Sequence, residues 1–572
     1  MRTPRRAIQH LGAPPCSALF LAVLLIVALL PARVARAQGS PPPAVLHYPD
    51  IVLVNGKVVT VDDRFSLHEA VAVREEKILA VGTSAEIRAM IGPRTRVVDL
   101  KGCTVIPGLI DSHIHMLRAG FRWPQEVRLD EATSVEDVLR AIRGRAAKAP
   151  PGEWILTLGG WHESQLKERR MPTRAELDQA ASNNPVLLHM LLAAGVVNTR
   201  AMKALGITAQ MPIPPNTTLE KGPDGQPTGV FRGAPLVVVL KAKLAPVPFE
   251  QKVQGLRAVM RDFNAMGITS TVEPIGGEMT DRDYEPAFEL WRRKQMTVRV
   301  GLNIVVADAE GARRWVQALP GRFGDDWLKI LGFGEVVLWG MWDQSVAAQF
   351  PISRETLADF HKIVAEATQK GITLHLHATL ESTINTMLDV FEEINRQTPL
   401  TNLRLVFAHG EHITPAQLER MKRLGMGLTI QDRQVIQADI MKRVWGESMA
   451  AKPPLKTIYQ SGVPMGGGTD GTIVAPNSPF ISLWWMITGK TLRGDVARPQ
   501  EHLTREEALR VYTRGSAWIA QMEDRIGSIE PGKLADLTVL TEDYLMVPED
   551  RIRTIRSVMT IVGGRVVYEA QP

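Results

Sequence analysis

The 572 residues are 45% hydrophobic and 22% charged, a balance that excludes a disordered or fibrous chain and leaves length for a large core with an accessory module. The formal charge of +6 suggests a basic protein, yet Arg2, Arg5, Arg6, Arg33 and Arg36 all stand in the first 37 residues, which hold no acid. Without that segment 62 bases face 61 acids, so no general positive field is left to attract nucleic acid or an anionic membrane.

The chain opens on Arg2, Arg5 and Arg6, continues with 13 consecutive apolar residues at 18–30, and reaches Ala35-Arg36-Ala37, small residues at the spacing of a signal-peptide cleavage site. Residues 1–37 therefore read as a leader cleaved after Ala37, which sends the protein to the periplasm or out of the cell. An uncleaved membrane anchor is the competing reading, but the run is shorter than the ~20 apolar residues that cross a bilayer as a helix. The Arg5-Arg6 pair permits twin-arginine export. Cleavage removes Cys16 and leaves Cys103 as the one cysteine, so no internal disulfide can form. Residues 38–48, with the run GSPPP at 39–43, read as a linker.

Short β-like runs follow at 51–54, 57–61, 70–73 and 77–81, punctuated by Asn55-Gly56 and Gly82. Similar runs return at 537–540, 558–562 and 565–568, with Gly563-Gly564 as a hairpin turn. Two β-rich ends, 49–106 and 521–572, predict one discontinuous β-sandwich closed by both termini. Between them, apolar runs at 154–158, 185–188, 297–304, 373–377, 403–408 and 426–430 alternate with amphipathic segments, most clearly helical at 354–370 and 381–395. That order predicts a parallel sheet with helical crossovers over 107–520.

The chemistry begins in VIPGLIDSHIH, 105–115, where His113 and His115 share one face of an apolar strand and can point at one ion. Alone, a His-x-His pair is better explained as a surface or core histidine pair than as a metal site. Further ionisable residues, however, close later strand-like runs: His377 in TLHLHAT, His409 in RLVFAHGEH and Asp470 in VPMGGGTDG. In a barrel such strand ends converge on one face, so residues far apart in the chain can form one cluster. The glycines at 466–468 are not a phosphate loop, because no Lys-Ser/Thr follows them; they read as a strand-end turn that brings backbone close to the site.

These motifs, with GGWHE at 159–163, MPTRAELD at 171–178, PTGVFR at 227–232, LTREEALRVYTRGSAWI at 503–519 and GSIEPGKLADLTVL at 527–540, resemble the amidohydrolase superfamily, specifically its family 3 branch of YtcJ-like enzymes. The resemblance covers the whole mature chain and implies an α/β fold with a (β/α)8 barrel. It also implies that His113 and His115 bind one divalent metal, that His377 and His409 help hold a second, and that Asp470 is both metal ligand and proton shuttle. The metal is expected to be zinc, as one or two ions, and the reaction water attack on an amide or cyclic amide of a small-molecule substrate. The competing readings are an ester, phosphoester or dipeptide hydrolase, a heterocycle deaminase, a barrel that has lost turnover and serves as an exported binding or regulatory protein, and a membrane-tethered interaction module. A homo-oligomer is compatible with any of them.

The sequence departs from the family in two places. Many relatives carry a carboxylated lysine on the fourth strand, whereas this chain reads LKILGFGEVV at 328–337, so Glu335 is the expected bridging carboxylate and Lys329 its rival. Where relatives carry Asp-Gly-His, this chain has Leu191-Leu192-Ala193 ahead of Asn198-Thr199, which predicts an apolar pocket wall. His162 is a candidate substrate contact or a wall histidine, Asp111 is expected to orient a ligand, and His375 is expected to be packed. No tryptophan is assigned to the site.

Overall fold

Eight short strands rich in valine, isoleucine, leucine and glycine make the centre of the molecule, and of their residues only Lys329 is not fully buried. Burial on both faces is what parallel strands covered by helices require. In the computed structural model, which describes residues 48–571 apart from 192–193, 275–278, 307 and 320–322, the strands run in chain order. They are Leu109–Asp111, Ile268–Glu273, Arg299–Ile304, Leu328–Glu335, Thr373–Ala378, Val406–His409, Gly427–Gln431 and Met465–Gly468, here the first to eighth barrel strands. Each pairs in parallel with the next. The ring closes where the Ser112 N–H donates to the Gly467 carbonyl (2.9 Å) and the Asp470 N–H to the His113 carbonyl (2.8 Å). The chain is therefore a mixed α/β protein built on a (β/α)8 barrel.

Helices return the chain between strands. The two read from the sequence occur at Arg354–Gln369, capped by the Ser353 hydroxyl, and at Glu381–Asn395. Both turn an aliphatic stripe inward, for instance Phe360, Ile363, Val364 and Ala367, which together with Phe391 joins the main core.

Strands from both ends of the described chain build two packed sheets. One runs Lys77–Gly82, Ala70–Arg74, Ile51–Val54, Arg96–Asp99; the other runs Arg565–Glu569, Ser557–Val562, Leu537–Leu540, Thr104–Pro107, Lys57–Val59, Leu67–His68. Ile51, Leu53, Val71, Val105, Leu537, Val539 and Ile561 fill the space between them. The hairpin at Gly563-Gly564 has both residues at positive φ (54° and 71°), the backbone that a two-residue turn between twisted strands demands. Arg299 of the third barrel strand docks the sandwich: its Nε and Nη donate to the two Asp536 oxygens at 2.7 and 3.0 Å, and both side chains are buried.

Two expectations change, and one barrel strand was not read from the sequence. The runs at 154–158 and 185–188 do not enter the barrel. They fall in a separate five-stranded sheet, ordered Thr218–Lys221, Pro227–Arg232, Ala194–Val197, Val186–Met190, Ile155–Thr157, inserted after the first barrel strand. Ile155–Thr157 and Val186–Met190 are parallel and joined by helix Arg174–Ala180, so they are a β-α-β unit and look locally like a piece of barrel. The apolar run at 105–115 is also not one strand: it divides at Gly108 between the six-stranded sheet and the barrel. Finally, the second barrel strand, Ile268–Glu273, has the sequence ITSTVE, whose polar residues hide a fully buried strand. The leader, its cleavage site, most of the linker and residues 192–193 lie outside the described residues. Among the described residues no helix is long and apolar enough to cross a membrane.

Candidate metal centre and active site

The carboxyl ends of the barrel strands bring His113, His115, Glu335, His377, His409 and Asp470 together, all buried. His113 and His115 lie just past the first strand, and His115 stands at the start of helix Met116–Gly120. His409 and Asp470 hold positive φ, 82° and 55°, a conformation that costs a non-glycine residue of order 1–3 kcal/mol and is concentrated at functional sites. Gly468 allows the close approach of the eighth strand to the first, because a Cβ there would stand 2.7 Å from the His113 backbone nitrogen.

Glu335 is the hub. Its Oε2 lies 3.4 Å from His113 Nε2, 3.3 Å from His377 Nδ1 and 3.4 Å from His409 Nε2, and its Oε1 lies 3.7 Å from His115 Nε2. Asp470 faces the same space, with Oδ1 at 3.1 Å from His115 Nε2 and 3.6 Å from His113 Nε2, and Oδ2 at 3.9 Å from His409 Nδ1. Three triads have ligand atoms within 4.8 Å of one another: His113, His115 and Glu335; His113, His409 and Asp470; Glu335, His377 and His409. Lys329 is elsewhere. It lies six residues earlier on the same strand, about 20 Å away at strand rise, with its ammonium 3.5 Å from the Gln521 carbonyl.

Electrostatics follow from this crowding. Burial works against the charge of Glu335, but hydrogen bonds from His377 and His409 and the charge of His113 hold its carboxyl well below the ordinary range. Asp470 behaves likewise: burial opposes ionisation, and His113 and His115 overcome it. His377 is disfavoured as a cation by burial, yet Asp343 and Glu335 raise it to about 9. His115 also reaches about 9 through Asp470, Glu273 and Glu335, against burial and Arg118. His409 falls to about 3, from burial and the nearby Arg433 charge.

Outer groups fix these side chains. The Asp343 carboxylate accepts from Thr379 N (3.0 Å), Thr379 Oγ (2.8 Å) and Leu380 N (2.8 Å), and the Asp343 carbonyl lies 2.8 Å from His377 Nε2. Gln431 Oε1 lies 2.7 Å from His409 Nδ1. Glu273, at the end of the second strand, accepts from Leu117 N at 2.7 Å and lies 3.7 Å from His115 Nδ1. Arg433 is buried between Glu411, with which it pairs, and Asp470, at 3.8 Å. Sequence reasoning passed over Glu273, Asp343, Glu411, Gln431 and Arg433. Glu273 alone had a signal, a carboxylate closing a β-branched run after a long helix. Asp111 orients backbone: its oxygens accept from His113 N (3.1 Å), Thr469 N and Thr469 Oγ (2.7 Å). His162 lies outside the cluster, where its Nδ1 accepts from Ser164 N (3.1 Å) and meets Ser164 Oγ (2.7 Å), capping the short turn Glu163–Gln165.

Do these residues fit a divalent ion? Two ionised carboxylates buried with four imidazoles form a nitrogen and oxygen donor set, and ions of zinc's class take such ligands. His113 Nε2, the nitrogen turned to the centre, is buried and has no hydrogen-bond partner among the described residues. The fit is good.

The amidohydrolase family model matches residues 96–568. The chain belongs to the amidohydrolase family, in its family 3 branch. Among curated relatives, this amidohydrolase is 29% identical to an N-substituted formamide deformylase of Arthrobacter pascens, across 91% of its own length and 98% of the relative's. It is 24% identical to the putative amidohydrolase YtcJ of Bacillus subtilis, across 90% and 98%. Among solved structures, an uncharacterised metal-dependent hydrolase from Pyrococcus furiosus superposes with a TM-score of 0.62 at 23% identity, covering 86% of this chain and 99% of that one. The family and its hydrolase relatives make the protein a hydrolase.

Proposed function

We propose that this amidohydrolase is an exported, metal-dependent enzyme that hydrolyses the C–N bond of a small amide or cyclic amide. The observation that carries the reading is Glu335, a single carboxylate shared by a His113 and His115 triad and a His377 and His409 triad. A carboxylate so placed would serve both halves of a two-ion site, and the nitrogen-rich donor set would favour zinc. His113, His115, Glu335, His377, His409 and Asp470 are the residues that would hold them. A divalent ion in such a site acidifies a water ligand and polarises a carbonyl oxygen. Asp470 Oδ1, 3.1 Å from His115 Nε2 and aimed into the same space, takes the proton from the attacking water. It then returns that proton to the departing nitrogen, so that the C–N bond breaks to an acid and a neutral amine. The deformylase relative supports amide chemistry, and the leader supports a periplasmic or secreted location.

The test is elemental analysis of the purified protein with hydrolysis of a panel of N-substituted formamides, other N-acyl amines, cyclic amides and esters. One or two equivalents of a divalent ion, amide turnover lost on chelation and restored by zinc, and a drop of about 10²- to 10⁴-fold in Asp470→Asn are expected. Protein that holds no divalent ion and turns over nothing would make the barrel a binding protein instead.

A further inference from the structure

Each imidazole of the cluster turns one ring nitrogen to the centre and the other to a partner in the surrounding protein. His377 has the Asp343 carbonyl, His409 has Gln431 and His115 has Glu273. For His113 the partner is a fifth histidine. Its Nδ1 lies 3.1 Å from His375 Nε2, with ring centroids 5.2 Å apart and both rings buried. We propose that His375 is a positioning residue that sets the tautomer and direction of His113. This rests on the reading of the cluster as a metal centre.

Two nitrogens at that separation share one proton. A neutral imidazole has a single N–H, so a proton on His113 Nδ1, donated to His375 Nε2, leaves His113 Nε2 as a bare lone pair. That atom has no hydrogen-bond partner among the described residues and faces Glu335 and Asp470 at 3.4 and 3.6 Å. Ligating histidines are commonly held this way by a carboxylate or carbonyl. Here the Glu335 and Asp470 carboxylates already face the His113 ring, and a neutral acceptor fixes His113 without adding a further carboxylate. The fold makes room for it: His375 sits two residues before His377 on the same strand face and pairs with Gly334, where a Cβ would stand 2.9 Å from the His375 Cβ.

The test compares His375→Leu, which fills the space without an acceptor, with His375→Gln, whose amide oxygen reaches the Nε2 position, and His375→Asn, whose amide does not. Metal-stripped proteins are titrated with zinc against a chromophoric chelator, and thermal unfolding of the metal-free forms reports folding. Wild type and His375→Gln should bind alike, while His375→Leu and His375→Asn lose about 10- to 100-fold in zinc affinity at an unchanged metal-free melting temperature. If His375→Leu does not fold, the Gln and Asn pair gives the answer. Wild-type affinity in the Leu or Asn variant, or a Gln variant as weak as Asn, overturns the proposal. A wild type that binds no zinc overturns the metal centre itself, and this is read before any variant is compared.

Discussion

Glu335 places its carboxylate within 3.3 to 3.7 Å of four imidazole nitrogens, so its removal should be felt on both sides of the centre. Glu335→Gln keeps the shape but halves the donor capacity and deletes the charge. Bound metal measured by elemental analysis should fall by at least one equivalent and amide hydrolysis by about 100-fold or more, since even outer groups around a metal cost 10- to 100-fold; unchanged metal content with unchanged turnover would rule out the bridge. His377, His409 and Asp470 stood out because each closes an apolar run, His113 and His115 because of their spacing, and Glu335 only through the departure from the family pattern. Glu273 closes a β-branched run, but the serine and threonines of that run masked it as a buried strand, so the signal went unread. Gln431, Glu411 and Arg433 are ordinary surface types in composition, and only their burial against His409 and Asp470 marks them. His375 was set aside as packed, and it is packed, but against His113.

At the level of strands, the glycines at 466–468, read from the sequence as a strand-end turn, lie within the eighth strand itself, where they serve close packing. A Cβ on Gly467 would meet the Tyr512 ring at 2.5 Å, and one on Gly468 would meet backbone, which cannot swing aside as a side chain can. Gly468→Ala should destabilise by about 1–3 kcal/mol and weaken zinc binding as well, because the displaced backbone carries His113; chelator competition and urea unfolding measure both. The Arg299–Asp536 pair gives a second prediction. Removing either partner leaves an uncompensated buried charge, at a cost of about 3–5 kcal/mol. In urea unfolding, Arg299→Met and Asp536→Ala should each lower the midpoint, and the double variant should lose clearly less than the sum of the two. Additive losses would show that the two groups act independently. Why the inserted sheet was mistaken for barrel is also a matter of elements: a parallel pair with a crossover helix has the same local pattern in either place, and only pairing partners far along the chain tell them apart.

For the whole molecule, an ion held as proposed, by residues from the first, fourth, fifth, sixth and eighth strands, would bind the folded barrel and not the open chain. Zinc at about 100 times its dissociation constant should therefore add about 2.7 kcal/mol of stability. Calorimetry should show the melting temperature rising with zinc and falling after chelation; a melting temperature indifferent to both would place no ion in the barrel. The architecture of two sheets plus barrel was readable from the β-rich ends and the alternating middle, whereas the inserted sheet needed three dimensions.

The sheet that holds Thr104–Pro107 in its interior takes its neighbours on one side from Leu537 onward. During synthesis that strand keeps one edge open until Leu537–Leu540 has left the ribosome, well after the eighth barrel strand at Met465–Gly468 has become available to the first. A product that stops short of Leu537 has therefore lost a wall as well as a tail, and the sheet from which the chain passes into the segment carrying His113 and His115 is left open on one side.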